Sequence, residues 1–312
     1  MIMKVIPGVK PITDKEVERA FCSLPLQDIF SQKKEWLDNR ETQVRFTDYH
    51  YQWIMSSKLN SIHGLDKFPI RHITNGCTES IGEYHWLFRN RRLRFYAGEY
   101  MFSCYLTLKD QFMYMHEDKL KEGDALIVSI PFSHTGDLLD EYDAVMAECT
   151  RLSIPVMIDC VFWGTCTGLD FSVDYDCIQG VCFSTSKTFS TGTFRVGTLF
   201  SRTPTDHIGA VNHFNYTPLL TGLIHLEILQ QFGPDYMPNK YRKYQIEFCE
   251  KNNARAMPTI MIGNADHAYP HTDLTKAQGG LYAKGWPSFE INGKDCYKWG
   301  MSPYLNDCEV NV

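Results

Sequence analysis

The 312-residue sequence has no run approaching the roughly 18 uninterrupted apolar residues of a membrane-spanning helix. It has no excess of positive charge either. A formal net charge of −6 gives no support to binding of nucleic acid or of an anionic membrane. The first residues, MIMKVIPGVK, lack the basic, apolar and small-residue succession of a secretory signal. The eleven cysteines are an odd number, with no CxxC pair and no Cys/His cluster of metal-ligand spacing. Such scattered cysteines without an export signal point to free thiols in a reducing compartment, hence to the cytoplasm, and to no metal centre. What is present is an ordinary globular composition, 44% apolar and 22% charged. The length suits one large domain and a smaller one.

Residues 1–70 lean towards helix and carry many aromatics, with Asp14 as a helix cap before Lys15 and an amphipathic stretch at 49–59. The first sharp junction is His72-Ile73-Thr74-Asn75-Gly76-Cys77-Thr78-Glu79. It predicts a short strand, a glycine turn and a helix capped by Cys77 or Thr78, with Ile81, Tyr84, Leu87 and Phe88 on its apolar side. Free N–H groups and the dipole at such a helix start suit an anion. The basic run 89–94 (RNRRLR) predicts a solvated helix end. Residues 93–97 predict a strand, followed by Gly98-Glu99-Tyr100.

Residues 125–130 (ALIVSI) predict a buried strand, 131–136 a turn, 137–152 a helix, and 154–158 (IPVMI) a second buried strand ending on Asp159. A strand–helix–strand unit implies a right-handed crossover and a parallel sheet. Asp159 then stands at the carboxyl end of a buried parallel strand, where open α/β sheets bind ligands. Further strands are expected at 180–184 and 196–201 and helices at 218–231 and 241–255, with short strands and turns beyond Pro258.

Between the last two strands of the sheet lies Phe183 to Gly197, FSTSKTFSTGTFRVG. It sets Lys187 among small hydroxylated residues, with Arg195 eight positions on. Hydroxyls and a guanidinium suit a phosphate, which offers several acceptor oxygens and up to two charges. A lysine beside a phosphate site is the arrangement a Schiff-base cofactor requires.

Taken in order, the glycine-turn helix start, the aromatic after a strand, the PxxxTG turn, Asp159 with Phe162 and Gly164, and Ser184-x-Ser186-Lys187 with Arg195 resemble the fold-type-I pyridoxal-phosphate enzymes. The likeness is to the aspartate-aminotransferase-like class I/II aminotransferases and covers residues 70–201 most clearly. It implies an α/β fold, three α-β-α layers around a mostly parallel seven-stranded sheet, with a reduced small α+β domain. The implied division is 1–70 as an N-terminal helical segment that joins the small domain or the dimer contact, 71–235 as the large cofactor-binding domain and 236–312 as the reduced small domain. The implied cofactor is pyridoxal 5'-phosphate. Lys187 matches the Schiff-base lysine, Asp159 the partner of the pyridine nitrogen, and Tyr100 the aromatic on the ring face. Gly76, Cys77, Thr78, Ser184, Ser186 and Arg195 match the phosphate side.

The sequence departs from the family pattern at three places. Phe162 stands where a tyrosine is usual, Ser133 and His134 stand for the Asn-Pro of the turn, and Lys298 occupies the place of the arginine that clamps a substrate carboxylate. The chain is also shorter than usual for the family, chiefly in the small domain. The resemblance implies a homodimer that moves an amino group between an amino acid and a 2-oxo acid. Two alternatives stay open: a lyase, decarboxylase, racemase or oxidase with the same cofactor, or a non-catalytic protein that keeps the fold.

Overall fold

A computed structural model describes residues 9–31, 41–100, 102, 112–266, 289–291 and 294–308. Its central sheet has the strand order β2 (Ile70–Thr74), β9 (Gly197–Ser201), β8 (Ile178–Ser184), β6 (Val156–Asp159), β5 (Asp124–Ser129), β3 (Arg92–Phe95) and β4 (Phe112–Tyr114). Neighbouring strands are parallel from β8 through to β4. Only β9 runs the other way, antiparallel to both β8 and β2. The mostly parallel seven-stranded sheet expected from the sequence is therefore present. Its inner strands read as continuous apolar runs because both faces are covered.

The two faces can be read from alternate residues. Ala125, Ile127, Met157, Cys182 and Leu199 belong to a core shared with Ile81 and Tyr84 of helix α4 (Cys77–Leu87) and Ile208 of α6 (His207–His213). Leu126, Val128, Ile158, Val181 and Phe200 belong to the opposite core. There they meet Phe46 of α3 (Glu41–Met55), Met146 of α5 (Tyr142–Arg151) and Leu223 of α7 (Leu219–Gln231). Strand periodicity of two thus builds three α-β-α layers.

Outside this sheet, β1 (Ser61–His63) pairs with β7 (Asp170–Ser172). A four-stranded antiparallel sheet has the order β10 (Arg255–Ala256), β11 (Ile262–Ala265), β13 (Lys294–Gly300) and β12 (Phe289–Ile291). Helices α1 (Lys15–Cys22), α2 (Leu26–Ser31), α8 (Tyr236–Lys251) and α9 (Ser302–Cys308) complete the described elements. Asp14 caps α1 by accepting from the N–H groups of Glu16 and Val17. The segment before α1 lies against the C-terminal helix: Thr13 N–H donates to Asn306 Oδ1 at 2.9 Å, and Ser302 Oγ donates to the Lys10 carbonyl. No helix among the described residues is long and apolar enough to cross a membrane.

Several element boundaries differ from the sequence reading. Helix α5 starts at Tyr142, not 137, because the Asp137 side chain and carbonyl accept from Leu138 and Phe132 N–H groups and hold a turn. Helix α3 begins at Glu41 and stops at Met55, where Ser56 Oγ folds back on the Trp53 carbonyl. Helix α8 runs five residues earlier than expected at its start and ends before the left-handed Asn253.

The basic run 89–94 is not wholly a solvated helix end. Arg89 does reach the Trp86 carbonyl at 2.7 Å, but Arg92 and Arg94 are strand residues that converge on Asp124, each at 2.7 Å. Arg94 is fully buried. Burial alone would push Asp124 up, but hydrogen bonds from Arg92 and Arg94 outweigh it and hold the carboxyl below its usual range. Removing one member of a buried pair strands the other charge. Asp124→Ala is therefore expected to cost about 3–5 kcal/mol, read as a fall in the urea midpoint. A carboxyl depressed in the folded state stabilises above its unfolded pKa of about 3.9. That contribution should disappear as pH falls through the lower folded value, and a D124A protein should lack this acid-dependent part of the loss.

Candidate functional site

Because β2, β3, β5, β6 and β8 point the same way, their carboxyl ends share one edge of the sheet. The antiparallel β9 begins at that edge, just after Arg195. Residues separated by up to 120 positions are brought together there for that reason alone.

The first component is built on Gly76. Its φ of +84° suits glycine, and an added Cβ would lie 3.1 Å from Ser184 Oγ. Gly76, not Cys77 or Thr78, is the N-cap of α4. This frees the Thr78 hydroxyl, which accepts from Arg195 Nη1 at 3.2 Å. Glu79 reaches back to the Asn75 N–H at 2.6 Å. Ser184 and Ser186 hydroxyls lie 2.8 Å apart, beneath the helix start. The first N–H groups of a helix have no intrahelical acceptor. With two serines, a threonine and an exposed guanidinium, they form a donor set for an anion with several oxygens, such as a phosphate.

The second component is Asp159, 3% exposed at the end of β6. Burial raises its pKa. The Cys77 thiol, the Val161 N–H at 3.0 Å, the Cys182 thiol at 3.7 Å and the Lys187 charge oppose that rise. The ligating atoms of Cys77, Asp159 and Cys182 all lie within 4.8 Å of one another. Burial also raises both thiols, Cys182 to about 11. They therefore stay protonated and act as donors to the carboxylate, whereas a thiophilic metal would need them deprotonated. Tyr100 is half-buried, packs against the core that contains Cys77, and feels the charges of Asp159 and Arg195.

The third component is a pair of lysines. Lys187 is lowered to about 8, chiefly by burial and next by the Arg195 charge, with Asp159 opposing. Its Nζ donates to the Val9 carbonyl, so the N-terminal segment lies over this edge of the sheet. Lys298, on β13, is 5% exposed and donates to the Ser133 carbonyl. Burial and the Lys187 charge lower it to about 7, with Glu99 opposing. Phe162 is buried in the main core, where its carbonyl accepts from Thr165 Oγ1 at 2.7 Å.

Glu99 and Ser129 were not singled out from the sequence, nor was Asn264, which faces Lys298 across β11 and β13. Only the position of Glu99 beside Tyr100 could have drawn attention to it.

The Lys187 value carries an expectation of its own. Competitive acetylation should give Lys187 a titration midpoint near 8. Arg195→Gln removes a repelling cation, so the midpoint should rise. An unmoved midpoint would mean that the Arg195 charge does not reach Lys187.

No protein-family model matches the chain, and no curated protein matches it. Solved structures do. The aromatic aminotransferase from Pyrococcus horikoshii OT3 superposes with a TM-score of 0.66 at 11% identity, over 97% of this chain and 91% of that one. L-threonine-O-3-phosphate decarboxylase from Porphyromonas gingivalis gives 0.59 at 10% identity, over 97% and 98%. The PLP-bound C-S lyase from Staphylococcus hominis gives 0.61 at 10% identity, over 99% and 90%. Over nearly its whole length, the chain has the fold that these three enzymes share.

Proposed function

We propose that the protein is a pyridoxal 5'-phosphate-dependent enzyme, and specifically an aminotransferase that moves an amino group between an amino acid and a 2-oxo acid. The observation that carries the reading is the run, along one sheet edge, of an anion cradle, a lysine amine and a buried carboxylate. A Cβ at residue 76 would crowd Ser184 Oγ at 3.1 Å, so the glycine keeps that hydroxyl clear at the cradle. Its donors match three phosphate oxygens in kind, and the buried carboxylate at Asp159 suits a protonated ring nitrogen. The residues present fit the cofactor.

Gly76, Cys77, Thr78, Ser184, Ser186 and Arg195 would hold the phosphate, Asp159 the ring nitrogen, Tyr100 the ring face and Lys187 the aldehyde carbon. Pyridoxal phosphate, when bound, supplies an electron sink for the pair left at the substrate's α-carbon. Asp159 would keep a proton on the ring nitrogen. The carboxylate's burial makes a cationic partner worth more there than in water. Lys187, with its pKa lowered to about 8, has a neutral Nζ in roughly a tenth of molecules at pH 7 and in far more than an ordinary lysine would, and that atom would take the substrate's α-proton. Lys298, beside the Ser133 carbonyl, supplies the cation for a substrate carboxylate. A lysine is a point charge where an arginine would offer a planar fork, so it orients the carboxylate less tightly.

The second reading keeps the cofactor and changes the bond broken, as in a decarboxylase or lyase. Phe162 favours it, since a phenyl ring offers no hydroxyl to the cofactor. The protein acts in the cytoplasm as a homodimer in this proposal. Trp86 of α4 and the exposed Phe214 and Tyr216 after α6, 53%, 61% and 79% exposed, are apolar surface available to a second copy.

Borohydride reduction after incubation with pyridoxal phosphate should leave a pyridoxyl group on the peptide that carries Lys187, and Lys187→Ala should leave that peptide unmodified. Arg195→Gln should weaken cofactor binding by about 10-fold or more. A panel of amino acids given without an acceptor should yield pyridoxamine phosphate from at least one donor. Release of carbon dioxide or ammonia without pyridoxamine phosphate would select the second reading, and no cofactor uptake at all would overturn both.

A further inference from the structure

Glu99 is 5% exposed and surrounded by donors. Its Oε1 accepts from Ser129 Oγ at 2.5 Å and from the Tyr100 N–H at 2.7 Å, and its Oε2 accepts from the Ser129 N–H at 2.9 Å. A carboxylate can only accept, so the Ser129 hydroxyl must spend its one proton on Glu99. Its oxygen is then free to accept, and it does so from the Ser133 N–H at 2.8 Å. The carbonyl of the same Ser133 takes Lys298 Nζ. A path of hydrogen bonds therefore runs from Lys298 through the Ser133 backbone and Ser129 to Glu99, and it fixes positions because the Ser133 N–H and carbonyl share one Cα. The two loops it joins are also interlocked by shape: a Cβ on Gly98, whose φ is +93°, would come within 2.7 Å of His134 Cβ.

We propose that Glu99 is the positioning residue for Lys298, setting through Ser129 and the Ser133 peptide where the pocket's carboxylate-reading cation sits. The proposal rests on the reading of Lys298 given under Proposed function. It narrows the substrate to a molecule whose anionic group meets a lysine held from behind by a backbone carbonyl. A flexible ammonium on a four-carbon stem gives no defined geometry unless something fixes it. The Ser133 carbonyl does so only if its own loop cannot rotate. Among the described residues, the Lys187 charge repels Lys298 and the Glu99 charge favours its charged form.

The test needs no known substrate. In the full-length chain labelled with [13C]lysine, the Lys298 Cε signal is assigned by its loss in Lys298→Arg and titrated with pH. It is then titrated with acetate as a carboxylate probe, against chloride. The native midpoint is expected near 7, lower in Glu99→Gln because an attracting charge has gone. Ser129→Ala keeps that charge but cuts the path. It should leave the midpoint nearly in place and weaken acetate about tenfold, the weight of one hydrogen bond to a charged group. Ser129→Thr, which retains a hydroxyl, should restore binding.

An unmoved midpoint in E99Q, or native acetate affinity in S129A, overturns the role of Glu99 while leaving Lys298 as the cation. Acetate that leaves the native Lys298 signal unshifted overturns the reading of Lys298 itself. If E99Q does not fold, the S129A and S129T pair decides alone.

Discussion

Parallel strands impose a constraint that the rest of this molecule follows: their carboxyl ends share one edge. Backbone pairing fixes β2, β3, β5, β6 and β8 in one direction, and each of their following loops carries one polar component of the site. The glycine turn follows β2, Glu99 and Tyr100 follow β3, Ser133 follows β5, Asp159 ends β6, and Lys187 follows β8. The antiparallel β9 completes the set by starting at that edge, so Arg195 arrives from the opposite direction to meet Thr78. Helices on both faces make the sheet dry, and dryness makes the charges at its edge strong.

Those charges depend on one another. Asp159 and Glu99 are both raised by burial, and each of the two lysines is lowered by burial first. Lys187 and Lys298 differ in what restrains them. Lys187 is balanced between Arg195 and Asp159, and Lys298 between Lys187 and Glu99. A change at one of these groups therefore shifts its neighbours, and the site behaves as a coupled set rather than as a row of independent side chains. The buried Arg94–Asp124 pair at the other end of β3 and β5 follows the same rule in a structural role.

The strands and the Lys187 loop were legible because local patterns announce them. Apolar runs such as 125–130 and 154–158 can hardly be anything but buried strands once turns bound them. Asp159 was legible because it ends such a run. Arg94 was not: a basic run usually solvates a surface, and only the pairing of β3 with β5 brings Asp124 to it. The start of α5 was misread because helical apolar spacing already begins at Leu138, yet the Asp137 oxygens hold a turn there. Glu99 was invisible for a similar reason. A Gly-Glu-Tyr triplet after a strand reads as a solvated turn until Ser129, thirty residues away, closes over the carboxylate.

By itself, then, the sequence determined six strands of the main sheet but not its edge strand β4, the parallel character of the sheet, and which loops hold chemistry, since these depend on periodicity and on neighbours along the chain. The tertiary structure alone decided which polar groups lose water together: Gly76 over Ser184, Cys77 and Cys182 on Asp159, Lys298 on the Ser133 carbonyl. Burial and the fields between buried charges are set by distance in space, and no local pattern in the chain encodes that distance.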